Sequence, residues 1–168
     1  IRKIAALQAL ARWGRKATDD ELASISIEPN LWPTSAVIDW IDLLKRTADL
    51  AGRDARLGEA EQVLRSRLNF QGTTMGFSTE RTDYLWWLMI SSDSNANRML
   101  LAVLDRPEWR EDIPRLVRGA LARQQFGHWN TTVANAWGAL AMEKFSAQFE
   151  SVPVTGTSTV RYGNVTQP

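Results

Sequence analysis

The stretch RQQFGHWNTTVANAWGAL, residues 123–140, decides the fold. It crowds two glycines, two tryptophans and two threonines into and just beyond the seam between two helical patterns. Thr131 or its neighbour can cap the helix that follows, Trp129 can plug the end of a hairpin, and Gly127 permits a left-handed turn. The seam reads as the junction of a helical hairpin that seats against a second one.

Two other stretches repeat its outline: LWPTSAVIDWIDLL at 31–44 and GFSTERTDYLWWLM at 76–89. Each has an aromatic, one intervening residue, a Thr and then an aromatic-bearing helical pattern. Thr34, Thr79 and Thr131 are therefore separated by about the length of a two-helix repeat. Gly127, Trp129, Thr131 and Trp137, with Thr79 and Trp86, are the expected structural determinants of these hairpins. Stacked hairpins form a solenoid or a ring. The expected fold is mainly α: a partial α/α toroid with a short C-terminal β tail.

Working outward, residues 1–13 carry a helical apolar stripe stopped by Gly14, and Thr18 with Glu21 matches a capping box for a short helix. Helices are expected from about residue 34 to near Gly52 and from about 56 to 69, with 71–76 as a loop. Residues 79–91 are apolar nearly all round, which predicts a helix buried on several sides. The Ser92–Asn95 cluster can cap the next helix, and Pro114 suits the first turn of the one after it. After residue 150 the composition shifts to Val, Thr, Gly and Ser with partial alternation, which favours strand. The expected division is a helical portion at 1–150 and the start of a β-rich neighbour at 151–168.

Composition excludes several functions. The chain has 168 residues, 44% hydrophobic content and eight Trp, enough apolar material to bury a core. Its 20 basic and 19 acidic side chains are scattered, so no footprint for nucleic acid is expected. No apolar run approaches the roughly 20 residues of a membrane span. Without cysteine there is no disulfide or thiol nucleophile, and a single histidine argues against zinc. The start at Ile1, with no initiator Met or signal pattern, predicts an internal piece of a longer parent.

The candidate reactive groups have plainer readings. His128 lacks a partner in sequence and reads as a surface or capping residue. Asp19, Asp20 and Glu21 follow a capping Thr and suit a helix start. Asp39 and Asp42 share a helix face and read as solvated charges in preference to metal ligands. Trp86 and Trp87 read as core, and no Gly-x-Ser-x-Gly elbow accompanies the many Ser and Thr. No catalytic, cofactor-binding or metal-binding residue is assigned.

The stretches TDYLWWLMISSDSNANRMLLAVL, LVRGALARQQFGHWNTTVANAWGALAMEKF and SVPVTGTSTV together resemble the bacterial α2-macroglobulin family. The most specific part is Gly127-x-Trp129-x-Thr131-Thr132 followed by Ala134-Asn135-Ala136-Trp137. Val133 stands where the resemblance leads one to expect Gln. The resemblance implies the C-terminal part of the thioester-type helical domain of a secreted or periplasmic protease trap, a setting compatible with a membrane anchor on its parent. Its implied partners are target proteases and neighbouring β domains of the same parent. In many members a Cys-x-Glu-Gln thioester acylates the attacker, a motif this chain lacks. Two competing expectations remain. One is an α/α-toroid enzyme, a terpene cyclase or a prenyltransferase, since QQFGHW loosely resembles the repeats of triterpene cyclases, although its spacing is one residue short. A generic helical-repeat binding module is the other.

Overall fold

Arg53 turns the chain back on itself by donating from Nε to the carbonyl of Leu44 at 2.9 Å. The acceptor lies in the last turn of a helix, where carbonyls lack intrahelical partners. The computed structural model describes residues 1–77, 85–151, 155–156, 159–163 and 165–167. Its helices are α1 (Arg2–Arg12), α2 (Asp19–Ala23), α3 (Thr34–Arg46), α4 (Arg53–Ser66), α5 (Ser92–Val103), α6 (Ile113–Leu121) and α7 (Thr132–Phe145). Four short strands lie among the described residues, β1 (Leu68–Gln71), β2 (Thr74–Phe77), β3 (Val160–Tyr162) and β4 (Val165–Gln167), with single 3-10 or π turns between elements.

The local chemistry of several helix starts agrees with the sequence. Thr18 Oγ1 accepts from the Glu21 amide while Glu21 accepts from the Thr18 amide, a complete capping box on α2. Pro114 stands in the first turn of α6. The cap of α5 is Ser91, one residue earlier than the expected cluster, and it exchanges reciprocal bonds with Ser94.

Four helices run side by side in one direction. Asp42 on α3 takes Gln8 and Arg12 of α1, while Lys16 just beyond α1 reaches Asp49 just beyond α3. Arg98 on α5 bonds Asp39, and seven residues on Asp105 bonds Lys45. Asp93 meets the Asn130 amide, Asn97 the Ala134 carbonyl, and Leu104 the Gln148 side chain. In each pair the residue numbers rise together, so α1, α3, α5 and α7 are parallel neighbours. By contrast α4 is antiparallel to α3, since Arg53 meets Leu44 and Arg67 meets Thr34. Likewise α6 is antiparallel to α5, its end being tied back through Arg123 to Asp93.

With α1, α4 and α5 all packed against it, α3 is the most enclosed helix: nine of its thirteen residues, Ser35–Ile41 with Leu43 and Leu44, are buried. Each Leu or Ile so enclosed contributes on the order of 1.5–3 kcal/mol relative to exposure.

Several expectations need correction. α3 stops at Arg46, well before Gly52, where Thr47 leaves helical backbone angles. α4 ends at Ser66, and residues expected as the end of that helix and a following loop pair as the antiparallel β1–β2 hairpin, Leu68 opposite Phe77 and Phe70 opposite Met75. This hairpin docks on α6 so closely that a Cβ on Gly119 would lie 2.0 Å from the Met75 carbonyl oxygen. Tertiary docking of Met75 thus supplies what local propensity did not. Within the segment expected as a buried helix, residues 79–84 lie outside the described residues. Trp86–Leu88 form a single 3-10 turn, with Trp86 77% exposed. An apolar run without a helical partner face does not by itself secure burial.

In the tail, Val160–Tyr162 pairs antiparallel with Val165–Gln167, so the strand-like composition is satisfied by a local hairpin.

Candidate functional site

The junction between α6 and α7 is closed by a tight turn and by several side chains that bond its backbone. Gln125 and His128 exchange amide-to-carbonyl bonds at 2.9 and 3.2 Å around Phe126 and Gly127, both at positive φ. This is the type I′ hairpin pattern, natural for Gly127 and strained for a phenylalanine. Trp129 is 5% exposed and donates its indole N–H to the Ala120 carbonyl at 2.9 Å. Asn135, one turn into α7, reaches back on both sides of the same residue. Its Oδ1 accepts from the Trp129 amide at 3.1 Å, and its Nδ2 donates to the Trp129 carbonyl at 2.8 Å. Thr131 caps α7 by accepting from the Ala134 amide at 3.1 Å. Asp93 completes the junction from α5, holding Arg123 at 2.7 Å and the Asn130 amide at 3.1 Å.

The repeat survives in its aromatic part. Trp32 precedes Thr34 as Trp129 precedes Thr131, and it too is buried with its indole N–H on a backbone carbonyl, that of Ile27 at 2.9 Å. Its ring meets Trp40 edge-on at 5.5 Å. The threonines differ: Pro33 occupies the cap position of α3, and Thr34 Oγ1 accepts from Arg67 at 3.0 Å. Thr79 lies outside the described residues. The sequence places Asn135 only within the family pattern and Asp93 only within the Ser92–Asn95 cluster, because a polar residue early in a helix does not announce which distant backbone it ties.

Trp137 lies further along α7 and lines a groove. Arg12 and Arg98 stand against its ring, their guanidinium carbons 4.9 and 5.7 Å from the centroid, a cation–π geometry. This groove of about 500 Å³ runs along α3, α5 and α7, with Arg12 contributed by α1. Ile38, Leu101 and Leu140 supply apolar surface, and Lys45, Arg46 and Lys144 supply charge.

Here Asp39 and Asp42 depart from the sequence reading, because neither is a freely solvated charge. Asp39 is 9% exposed and paired with Arg98. Burial pushes its carboxyl above its ordinary value despite that counter-ion, whose pull is the opposing influence. Asp42 accepts from Gln8 at 2.5 Å, Arg12 at 3.1 Å and Arg46 at 3.0 Å. Burial raises it too, but these donors together outweigh burial and hold it below the usual carboxylate range. Two neighbouring carboxylates are thus driven apart by the number of donors each receives.

His128, Asp19 and Glu21 have structural partners. His128 Nδ1 lies 3.0 Å from the Trp129 carbonyl oxygen. Asp19 accepts from the Ala51 amide at 3.2 Å, and Glu21 is paired with Arg15 at 2.5 Å, a bond that lowers its pKa from the ordinary value. Among the described residues no group of three or more His, Asp or Glu is placed to hold a metal ion. No helix among them is long and apolar enough to cross a membrane.

Comparison with known protein families, curated proteins and solved structures finds no match.

Proposed function

We propose that this chain is a scaffold portion of the thioester-type helical domain of an α2-macroglobulin-like protease trap, acting outside the cytoplasm and supplying no catalytic group of its own. The observation that carries this reading is the parallel row α1, α3, α5, α7, backed by antiparallel α4 and α6. Hairpins stacked in one sense are the unit from which an α/α ring or solenoid is assembled. The toroid itself, the division at residue 150 and the β-rich neighbour belong to the same proposal. Further support comes from the junction: the residues that carry the family resemblance, Gly127, Trp129, Thr131 and Asn135, are those that tie α6 to α7.

In such a domain the scaffold shields a reactive acyl group from water until it is triggered, since an exposed thioester hydrolyses or reacts with any amine. A rigid junction suits that task. The test is to incubate the full polypeptide carrying this chain with an endoprotease. Activity is then followed on a large protein substrate and on a small peptide substrate. Loss of the first with retention of the second supports a trap, because an enclosed protease excludes only large substrates. Equal retention of both overturns it. Intact mass and free thiol before and after methylamine decide whether a thioester takes part.

A further inference from the structure

The groove beside Trp137 goes beyond the scaffold reading. Because α3, α5 and α7 are parallel, the residues each contributes fall in three aligned stripes, and the groove is a trough with α5 as its floor. From Trp137 to Gln148 it extends about 16 Å at 1.5 Å per residue. Leu101 lies on the floor, Ile38 and Leu140 on the walls, and Leu140 is 37% exposed.

The charges along this trough do not balance. Arg12 and Arg46 share a single carboxylate, Asp42, and their side chains remain 37% and 43% exposed. Lys45 is matched by Asp105 and Arg98 by Asp39. On the opposite wall Lys144 is exposed and no carboxylate of the trough pairs with it. Both walls therefore present excess positive charge, with an apolar strip between them. An elongated occupant with one apolar face and carboxylates along its flanks satisfies both features, the helix-in-groove mode of recognition.

We propose that the trough between α3 and α7 is a docking site for an acidic amphipathic segment of another protein. The segment lays apolar side chains on Leu101, Leu140 and Trp137, and its carboxylates meet Arg12 and Arg46 on one wall and Lys144 on the other. Such charge complementarity governs the association rate and choice of partner, and it weakens with salt.

The experiment titrates the whole chain with fluorescent peptides that place Leu and Glu at helical spacing in several registers, and with the same peptides carrying Lys for Glu, reading anisotropy. Binding of Glu peptides that weakens with salt, with no binding of Lys peptides, is expected. Lys144→Glu and Leu140→Asp should each weaken it about tenfold or more, with helicity and melting temperature unchanged for Lys144→Glu. Equal binding of both peptide sets, no binding of any Glu peptide, or an unaltered Lys144→Glu affinity overturns the proposal. Dodecanoate binding with no peptide binding would assign the trough to a small amphiphile instead. Self-association that Lys144→Glu abolishes would assign it to a second copy of the chain.

Discussion

The indole of Trp129 packs against the backbone of Gly138, so close that a Cβ on Gly138 would stand 2.2 Å from Cζ3 of the ring. Gly138 is inside α7, where glycine costs about 0.8–1.0 kcal/mol relative to alanine. The ring occupies the volume that alanine would need. Gly138→Ala should therefore destabilise the fold by about 1–3 kcal/mol through overpacking, although it improves helix propensity. In a Trp129→Ala background the same change should become stabilising. Denaturant unfolding of the two single variants and the double variant measures this reversal, and additive effects would refute the contact.

Trp129→Ala by itself removes a buried aromatic and the bond to Ala120. A loss of about 3–5 kcal/mol is expected. A change within about 0.5 kcal/mol would show that the junction does not depend on this ring.

Phe126 is fully exposed and holds φ at +53° in the turn before Trp129. A bulky side chain in the left-handed region is strained by about 1–2 kcal/mol, and asparagine tolerates that region well. Phe126→Asn is expected to raise stability by about 0.5–1 kcal/mol, since no buried contact is lost. A lower midpoint in chemical denaturation would mean that the phenyl ring has a folded-state contact of its own.

Asn135 serves both the amide and the carbonyl of Trp129. Asn135→Ala leaves these groups without those bonds and should cost about 1–3 kcal/mol. Asn135→Asp keeps an acceptor for the amide but loses the donor, so it should recover only part of that loss. Hydrogen exchange at the Trp129 amide separates the two variants: protection falls in the alanine variant and persists in the aspartate one.

Asp42 makes stability depend on pH in a definite direction. Its folded pKa lies below the ordinary value of 3.8, so the unfolded chain binds its proton first as pH falls. The stabilisation is complete above that value and disappears as pH drops through the folded pKa. The stability difference between the parent chain and Asp42→Asn should therefore be widest at neutral pH and shrink below about pH 3.8. Asp39 acts with the opposite sign. Its pKa is raised in the fold, so its contribution falls as pH rises from 3.8 through the folded value. Melting temperatures of both Asp→Asn variants across acid pH test the two slopes.

Sequence alone determined whatever depends on neighbours within one turn. Thr18 and Glu21 sit at the spacing of a capping box, Pro114 can occupy only an early helical position, and Thr131 caps the helix it begins. The aromatic-x-Thr register likewise marked two buried indoles, Trp32 and Trp129. What the sequence could not determine depends on partners far away in the chain. Met75 became a strand residue because α6 presents Gly119 to it. Asp39 and Asp42 look alike along a helix, and the arrival of Arg98 on one and of Gln8 and Arg12 on the other, added to the local i,i+4 partner Arg46, separates their charges. The groove itself has no local signature, since it exists only where parallel α3, α5 and α7 bring three separate stripes together. Capping is a short-range hydrogen bond that a few residues satisfy among themselves. Burial and charge pairing are set by whichever surfaces the folded chain brings into contact.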